Sequence, residues 1–517
     1  MSKANKAVTV RASNDSVSHG ESPESPLLSK IIERSSKNWS ELGCRETHIL
    51  FRRMSENVPA YRNFLNKNKI KLEDISSFED LENVPAINKK NYISISDFRD
   101  MFWDGSLKKN SILTSTSGSS GQPVYFARSN KIDDQCSFVY EIFYHNSNLS
   151  TSKSTLVIGC FGMGVWIGGL ITYQAFQNLG RQGYPISVIT PGINQPEILR
   201  ILKDIAPEYD QVILAGYPPF LKDIVDAAHE KRLLPFKGDI ALLFGAEIFS
   251  EKFREYVAEK AGVKNIYTNI MNIYGSADIG TMAFETPLSI LIRRMALENL
   301  ELFKDLFGGI SKTPTLGQFI PTFTHFEAKD GELFISGDSA MPLLKYQIGD
   351  NGGVYTFDTM KKKLEQHGIS LEDKLKDQKL GKYAYEMPFV YVYERTDFSQ
   401  SLYGLQIYPE PIREVLLSSN FQKYCTGKLT MIRKYDADQN QYLEINIEMK
   451  PNCTCDDDIK KKMQSEIMNA LYLNNSEFKE LSKFIGDRAL PKLVFWTFND
   501  PVHFKTGIKQ AWVKNKS

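Results

Sequence analysis

Residues 115–123 read Ser-Thr-Ser-Gly-Ser-Ser-Gly-Gln-Pro, five hydroxyl side chains and two glycines within seven positions. Glycines let the backbone approach an anion closely, and hydroxyls and amide N–H groups supply donors around it, so a polyphosphate is the natural guest. A solvated Ser/Gly linker has the same composition. Position argues against it: Ile112-Leu113 precede and Val124-Tyr125-Phe126 follow, the pattern of two strands joined by a small loop. Four later clusters also carry chemistry. Phe244-Gly245-Ala246-Glu247 ends an apolar run, and its small residues would let a flat ring lie against the backbone; an ordinary strand-to-helix turn reads the same way. Tyr274-Gly275-Ser276-Ala277-Asp278 offers a tyrosine to stack on a base and a carboxylate for Mg²⁺, or simply a tight turn with a capping Asp. Tyr346-Gln347-Ile348-Gly349-Asp350 offers a carboxylate able to accept two hydrogen bonds from a ribose diol, though Gly-Asp also begins many turns. Glu394-Arg395-Thr396-Asp397 precedes Tyr403-Gly404-Leu405-Gln406, where a change of pattern suggests an interdomain hinge.

Composition narrows the classes. The 517 residues are 42% hydrophobic and 24% charged, as in soluble globular proteins. With 63 Lys+Arg against 62 Asp+Glu there is no global field to recruit nucleic acid or an anionic membrane, so any anion site is local. Cysteines at 44, 136, 160, 425, 453 and 455 show no paired CxxC spacing, and a reduced, cytoplasmic protein is the simplest expectation. Residues 154–180 carry no charge and are long enough to cross a bilayer, but Gly159, Gly162, Gly164, Gly168 and Gly169 interrupt them. They read better as a buried strand over 155–160, a glycine loop and a packed helix over 167–179. No Gly-Lys-Ser/Thr follows the 115–123 loop, which makes a Walker-type NTPase the least favoured reading.

The elements that must position these clusters follow from periodicity. A helical pattern runs over about 27–55, with a turn at Asn57-Val58-Pro59. Beyond Tyr125, strands at 155–160, 186–189, 211–215 and 240–244 alternate with helices at 167–179, 195–205, 218–231 and 250–261. That alternation predicts an α/β fold with βαβ units and a mainly parallel sheet. Ligands bind at the carboxyl ends of such strands. One amphipathic, core-packing helix is expected over 287–306, and a charged, solvated excursion with some helix over 361–379. The chain then becomes strand-rich near 332–335 and 390–393. The last 120 or so residues predict a small α+β unit with strands near 428–433, 442–449 and 492–498 and a helix at 457–472. The expected organisation is a disordered tail (1–25), a large N-terminal domain (26–396) and a small mobile C-terminal domain (397–517).

In this order and spacing, the clusters resemble the motifs of the adenylate-forming superfamily of acyl-CoA synthetases. The 114–123 loop resembles its phosphate loop, Tyr274–Asp278 its Tyr-Gly-x-Thr-Glu, Tyr346–Asp350 its Tyr-Arg-Thr-Gly-Asp, and Arg395-Thr396-Asp397 its Gly-Arg-x-Asp. Glu56–Arg62 and Val84-Pro85-Ala86-Ile87-Asn88-Lys89 resemble the opening of phenylacetate–CoA ligase-like proteins. The resemblance implies that Ser117, Gly118, Ser119, Ser120 and Gly121 cradle the β- and γ-phosphates of ATP. Gly245, Ala246, Glu247 and Tyr274 would flank the adenine, Asp350 would hold the ribose, and Thr116, Gly275, Ser276 and Arg395 would complete the nucleotide contacts. Asp278 stands where the family usually has Glu, as the Mg²⁺ ligand. Asp397 would be the hinge. Lys509, or in another register Lys505, would be the adenylation lysine. Trp166, Tyr217 and Phe244 would wall the pocket for an acyl or aryl acid. The implied reaction joins an acid to ATP with loss of pyrophosphate and passes the acyl group to a thiol, with coenzyme A the expected acceptor. An acyl-carrier or other acceptor protein is the alternative within that chemistry. A non-catalytic nucleotide-binding homologue is the alternative outside it.

Overall fold

A computed structural model describes residues 26–109, 111–116, 124–308, 313–393, 400–500 and 503–504. The expected tail, the loop residues Ser117–Gly121, Arg395, Asp397, Lys505 and Lys509 lie outside the described residues.

The strands that carry the site form half of one large sheet. In spatial order its eleven strands are Thr324–Lys329, Glu332–Gly337, Leu343–Tyr355, Phe389–Tyr393, Thr315–Gln318, Gly280–Phe284, Ile270–Ser276, Asp239–Gly245, Gln211–Gly216, Thr155–Cys160 and Ile186–Ile189. The last five are parallel, as the alternation predicts, and the other pairings are antiparallel. Thr155–Cys160 and Gln211–Gly216 are buried along their whole length. They read as unbroken apolar runs because helices cover both faces of a parallel sheet. Residues 154–180 are thus a strand, a loop and the helix Ile167–Arg181. Among the described residues no helix is long and apolar enough to cross a membrane.

Three departures from the expected elements have local causes. The helix expected over 287–306 is two, Pro287–Glu298 and Leu300–Phe307, because Asn299 leaves the helical region and caps the second by accepting from Glu301 N and Leu302 N. The charged stretch 361–379 is mostly two helices, Phe357–Gln366 and Leu371–Asp377, which bury Phe357, Met360, Leu364, Leu371 and Leu375 while Lys362, Lys374 and Lys376 stay exposed. At the turn near residue 58, Val58 adopts an extended backbone and Pro59 starts a further helix, Pro59–Lys67. The proline suits that first position because its missing N–H has no intrahelical partner there anyway.

The C-terminal unit has its own sheet, Cys425–Tyr435, Gln441–Met449 and Lys492–Trp496, with the helices Pro409–Leu417, Asp457–Asn474 and Ser476–Ile485. Leu429, Met431, Ile445, Ile447, Met463 and Ile467 form its core, separate from the two cores of the large sheet. Before it, Gln400–Leu402 and Leu405–Ile407 make a hairpin whose two-residue turn, Tyr403-Gly404, has positive φ at both positions, 52° and 81°. That is the turn the right-handed twist of paired strands favours, although tyrosine is an unusual occupant of its first position. Gln441 holds it there, accepting from Tyr403 N at 2.8 Å.

Candidate active site

The strands Asp239–Gly245 and Ile270–Ser276 are parallel neighbours, so the clusters at their carboxyl ends meet side by side. They open onto a cavity of about 310 Å³. Thr116, Gly245, Ala246, Glu247, Tyr274, Gly275, Ser276, Asp278 and Asp350 all line it, as do Trp166, Tyr217 and Phe244. Every sequence-derived site residue that is described therefore faces one chamber. The hairpin of Ile112–Ser115 and Tyr125–Arg128 brings the two ends of the hydroxyl-rich loop to the same place. Ser115 N donates to Val165 O at 3.0 Å, which ties that hairpin to the loop before Trp166.

The polar end of the chamber is built from few groups. Asp278 is buried; it accepts from Tyr346 Oη at 2.8 Å and lies 4.0 Å from Lys89 Nζ. Asp350 accepts a hydrogen bond from Tyr274 Oη. Its backbone follows Gly349, whose φ of 87° suits glycine and turns the carboxylate-bearing residue at that point. Mg²⁺ is commonly bound through one or two carboxylates together with substrate phosphates and waters. Asp278 alone meets that modest requirement, and no group of three or more His, Cys, Asp and Glu suited to a metal occurs among the described residues. The six cysteines are free thiols.

Ala246 has φ of 70°, a left-handed backbone that costs a non-glycine residue on the order of 1–2 kcal/mol. Its neighbours fix it. Asn272 Nδ2 donates to Glu247 O at 3.0 Å, and the Glu247 carboxylate accepts from Arg433 at 2.6 Å and from Gln441. Both of those partners belong to the C-terminal sheet, so the loop beside the chamber is clamped from that sheet. Beneath it lies a buried charge cluster. Glu285 receives Arg254 on both oxygens at 2.8 Å, Arg293 at 3.0 Å and Asn272 N at 2.9 Å.

The other end of the chamber is mostly apolar. Trp166 and Tyr217 face it together with Phe161, whose ring stands edge-on to Tyr217 at 5.0 Å. Phe244 is fully buried, with its ring against Phe249 and Phe253, so it supports the wall as part of the core. Tyr140 and Thr172 hydrogen-bond to each other at 3.0 Å in the same wall.

Two charged residues at the chamber are given no role by the motifs. Lys89 follows Asn88, whose side-chain oxygen accepts from Lys90 N and Asn91 N, and that local turn brings its ammonium to Asp278. Lys89 ends the Val84–Lys89 segment beside a second lysine, and nothing in that segment shows which of the two meets a carboxylate far along the chain. Glu477 arrives from the C-terminal helix Ser476–Ile485 and accepts from Tyr217 Oη at 2.9 Å. Burial pushes its carboxyl up to about 7, against the lowering effect of that hydrogen bond.

Comparison with known proteins bears on the fold that holds this chamber. A 2-hydroxyisobutyryl-CoA ligase solved with 2-HIB-AMP and CoA in the thioesterification state superposes with a TM-score of 0.60, at 13% identity over 94% of this chain and 91% of that one. The same ligase in the postadenylation state superposes at 0.51. The fold is that of the adenylate-forming acyl-CoA ligases. In sequence the chain is 23% identical over 305 residues to the phenylacetate–coenzyme A ligase of Thermus thermophilus and 22% over 303 residues to that of Aromatoleum evansii. Its sequence is thus similar to those of phenylacetate–CoA ligases. The alignments take in 57% of this chain and 61% and 62% of those enzymes, so the chain spans about three fifths of the length of the curated relatives it matches. No protein-family model matches.

Proposed function

We propose that this chain is an ATP-dependent acid–thiol ligase that converts a carboxylic acid to its acyl-adenylate, releases pyrophosphate, and transfers the acyl group to coenzyme A. The observation that carries the reading is the convergence of Gly245–Glu247, Tyr274–Asp278, Asp350 and the aromatic wall on one chamber. The likeness to phenylacetate–coenzyme A ligases supports an aryl or acyl acid as the substrate.

A carboxylate is a poor electrophile, so the acid oxygen must first attack the α-phosphorus of ATP. No protein nucleophile is needed; the work is to align two anions and neutralise charge as it shifts. Tyr274 and the backbone at 245–247 would hold the adenine, and Asp350 the ribose hydroxyls. Ser117–Gly121 would grip the departing pyrophosphate. Asp278 would be the carboxylate that holds Mg²⁺, which when bound supplies Lewis-acid stabilisation of phosphoryl charge. Lys89, beside Asp278, adds a cation at that end. Lys509 would bridge the substrate carboxylate and the α-phosphate, and motion about Asp397 would withdraw it before the thiol enters.

The test is exchange of labelled pyrophosphate into ATP, screened over phenylacetate, benzoate and fatty acids of graded length. At least one acid is expected to drive exchange, and Lys509→Ala to reduce it to background. Full exchange in Lys509→Ala with loss in Lys505→Ala would assign the role to Lys505. Absence of exchange with every acid would reject the ligase reading. Labelled product recovered on protein instead of coenzyme A would reject the acceptor.

A further inference from the structure

We infer that Glu477 is the general base of thiol transfer, taking the proton of the incoming thiol as its sulfur attacks the acyl-adenylate. The inference rests on the ligase reading above. With the nucleotide at the Tyr274 and Asp350 end and the acyl group along Trp166 and Tyr217, the acceptor must enter from outside both. The C-terminal unit contributes Ser401, Gly404–Gln406 and Glu477 to the chamber wall. Glu477 is the one ionisable side chain among those described wall residues, and it stands at the acyl end.

Its setting suits the role. The carboxyl is partly buried, and Oε1 accepts from Tyr217 Oη at 2.9 Å. Gly162 packs against the same group: a Cβ there would be in ordinary contact with that oxygen, at 3.6 Å, and would crowd the Trp166 ring at 3.0 Å, so the glycine lets the ring lie close beside the carboxyl. Gly404 makes comparable space on the other side, where a Cβ would come within 3.1 Å of the Tyr217 ring. The neighbouring 161–166 loop and 404–406 hairpin carry no charged residue. On its own helix the charged Lys479, Glu480 and Lys483 follow it, and Lys483 pairs with Glu480 at 2.7 Å. Tyr217 is thus the titratable group that Glu477 meets directly. Burial and the adjacent carboxylate push its phenol well above the usual tyrosine range, so it remains a neutral donor. A base poised near neutral pH is the efficient kind, because it is largely unprotonated and still basic enough to accept. The step balances. The S–H bond breaks and its proton passes to Glu477, the sulfur–carbonyl-carbon bond forms, and the carbonyl-carbon–oxygen bond to AMP breaks as AMP leaves with the electron pair.

The experiment is single-turnover transfer. Enzyme-bound acyl-adenylate, formed from ATP, Mg²⁺ and the acid that drives exchange, is mixed with coenzyme A and quenched across pH 5.5–9. The wild-type transfer rate is expected to rise through a midpoint near 7 and then level. Glu477→Gln should slow transfer on the order of 10²-fold near neutral pH. It should also lose the plateau and climb instead with the thiol's own ionisation, about 8.5. Tyr217→Phe, by removing the hydrogen bond that favours the carboxylate, should move the wild-type midpoint upward. The pyrophosphate exchange of Glu477→Gln should fall by far less than its transfer. A wild-type transfer profile in Glu477→Gln would overturn the assignment, as would loss of exchange and transfer in equal proportion. If the wild-type protein exchanges with no acid, the ligase reading falls first and this inference with it.

Discussion

Glu285→Ala is expected to destabilise the protein by about 3–5 kcal/mol, the range for removing one partner of a buried ion pair. The residue has no exposed side-chain surface, and neither do Arg254 and Arg293, which it joins. Burial disfavours the charge on Arg254, and the carboxylates of Glu251 and Glu285 outweigh it, leaving the guanidinium pKa raised. On Arg293 burial wins, and its pKa is lowered even with both carboxylates present. Removing Glu285 leaves Glu251, already shared with Arg294 at 3.0 Å, as the main anion for two buried cations. It also strips the acceptor from Asn272 N, and Asn272 is the residue that props Glu247 O beside the chamber. Urea denaturation should therefore move to a lower midpoint, and exchange activity should fall with it. Glu285→Gln, which keeps the shape and some acceptor capacity, should fall between the two. A wild-type midpoint for Glu285→Ala would mean that the cluster does not hold the floor of the site.

Where the sequence states a pattern locally, the fold is legible to the residue. Thr155–Cys160 and Ile186–Ile189 are read with their observed bounds because each is a short apolar run between turn or helix signals. The break at Asn299 is not legible, since apolar residues continue on both sides with no Gly or Pro between them. The site divides the same way. Asp278 and Asp350 stand in recognisable clusters, and the sheet brings them to one chamber. Glu477 sits in Asn-Asn-Ser-Glu, which has the composition of a solvated helix start. Its burial arises only when the C-terminal unit meets Tyr217, 260 residues away in sequence. The same holds for Arg433 and Gln441 on Glu247, at separations of 186 and 194 residues. Contacts between the C-terminal sheet region and the large sheet leave no periodicity in either segment, so they become visible only in the assembled molecule.

Asp278→Asn is the substitution expected to cost most in chemistry for least in fold. The amide keeps the size of the carboxyl, and its oxygen can still accept from Tyr346 Oη, so the urea midpoint should stay within about 1 kcal/mol of wild type, the net worth of one hydrogen bond. What it loses is the negative charge facing Lys89 and, in the proposed mechanism, the ligand for Mg²⁺. Metal stabilisation of phosphoryl charge is worth several kcal/mol. At about 1.36 kcal/mol per tenfold, pyrophosphate exchange should drop on the order of 10²–10³-fold. Tyr346→Phe separates the two roles. It leaves the charge in place and removes only the hydrogen bond that orients it, so exchange should fall by no more than about tenfold while stability drops by about 1 kcal/mol. Asp278→Glu introduces the residue usual in related motifs, but in a buried position whose oxygen is already 2.8 Å from Tyr346 the extra methylene must displace that tyrosine or the 274–278 turn. Its exchange should lie between wild type and Asp278→Asn, with a higher Mg²⁺ requirement than wild type. Equal exchange in wild type and Asp278→Asn at limiting Mg²⁺ would remove Asp278 from the reaction and leave Lys89 as the charged group to examine at that end of the chamber.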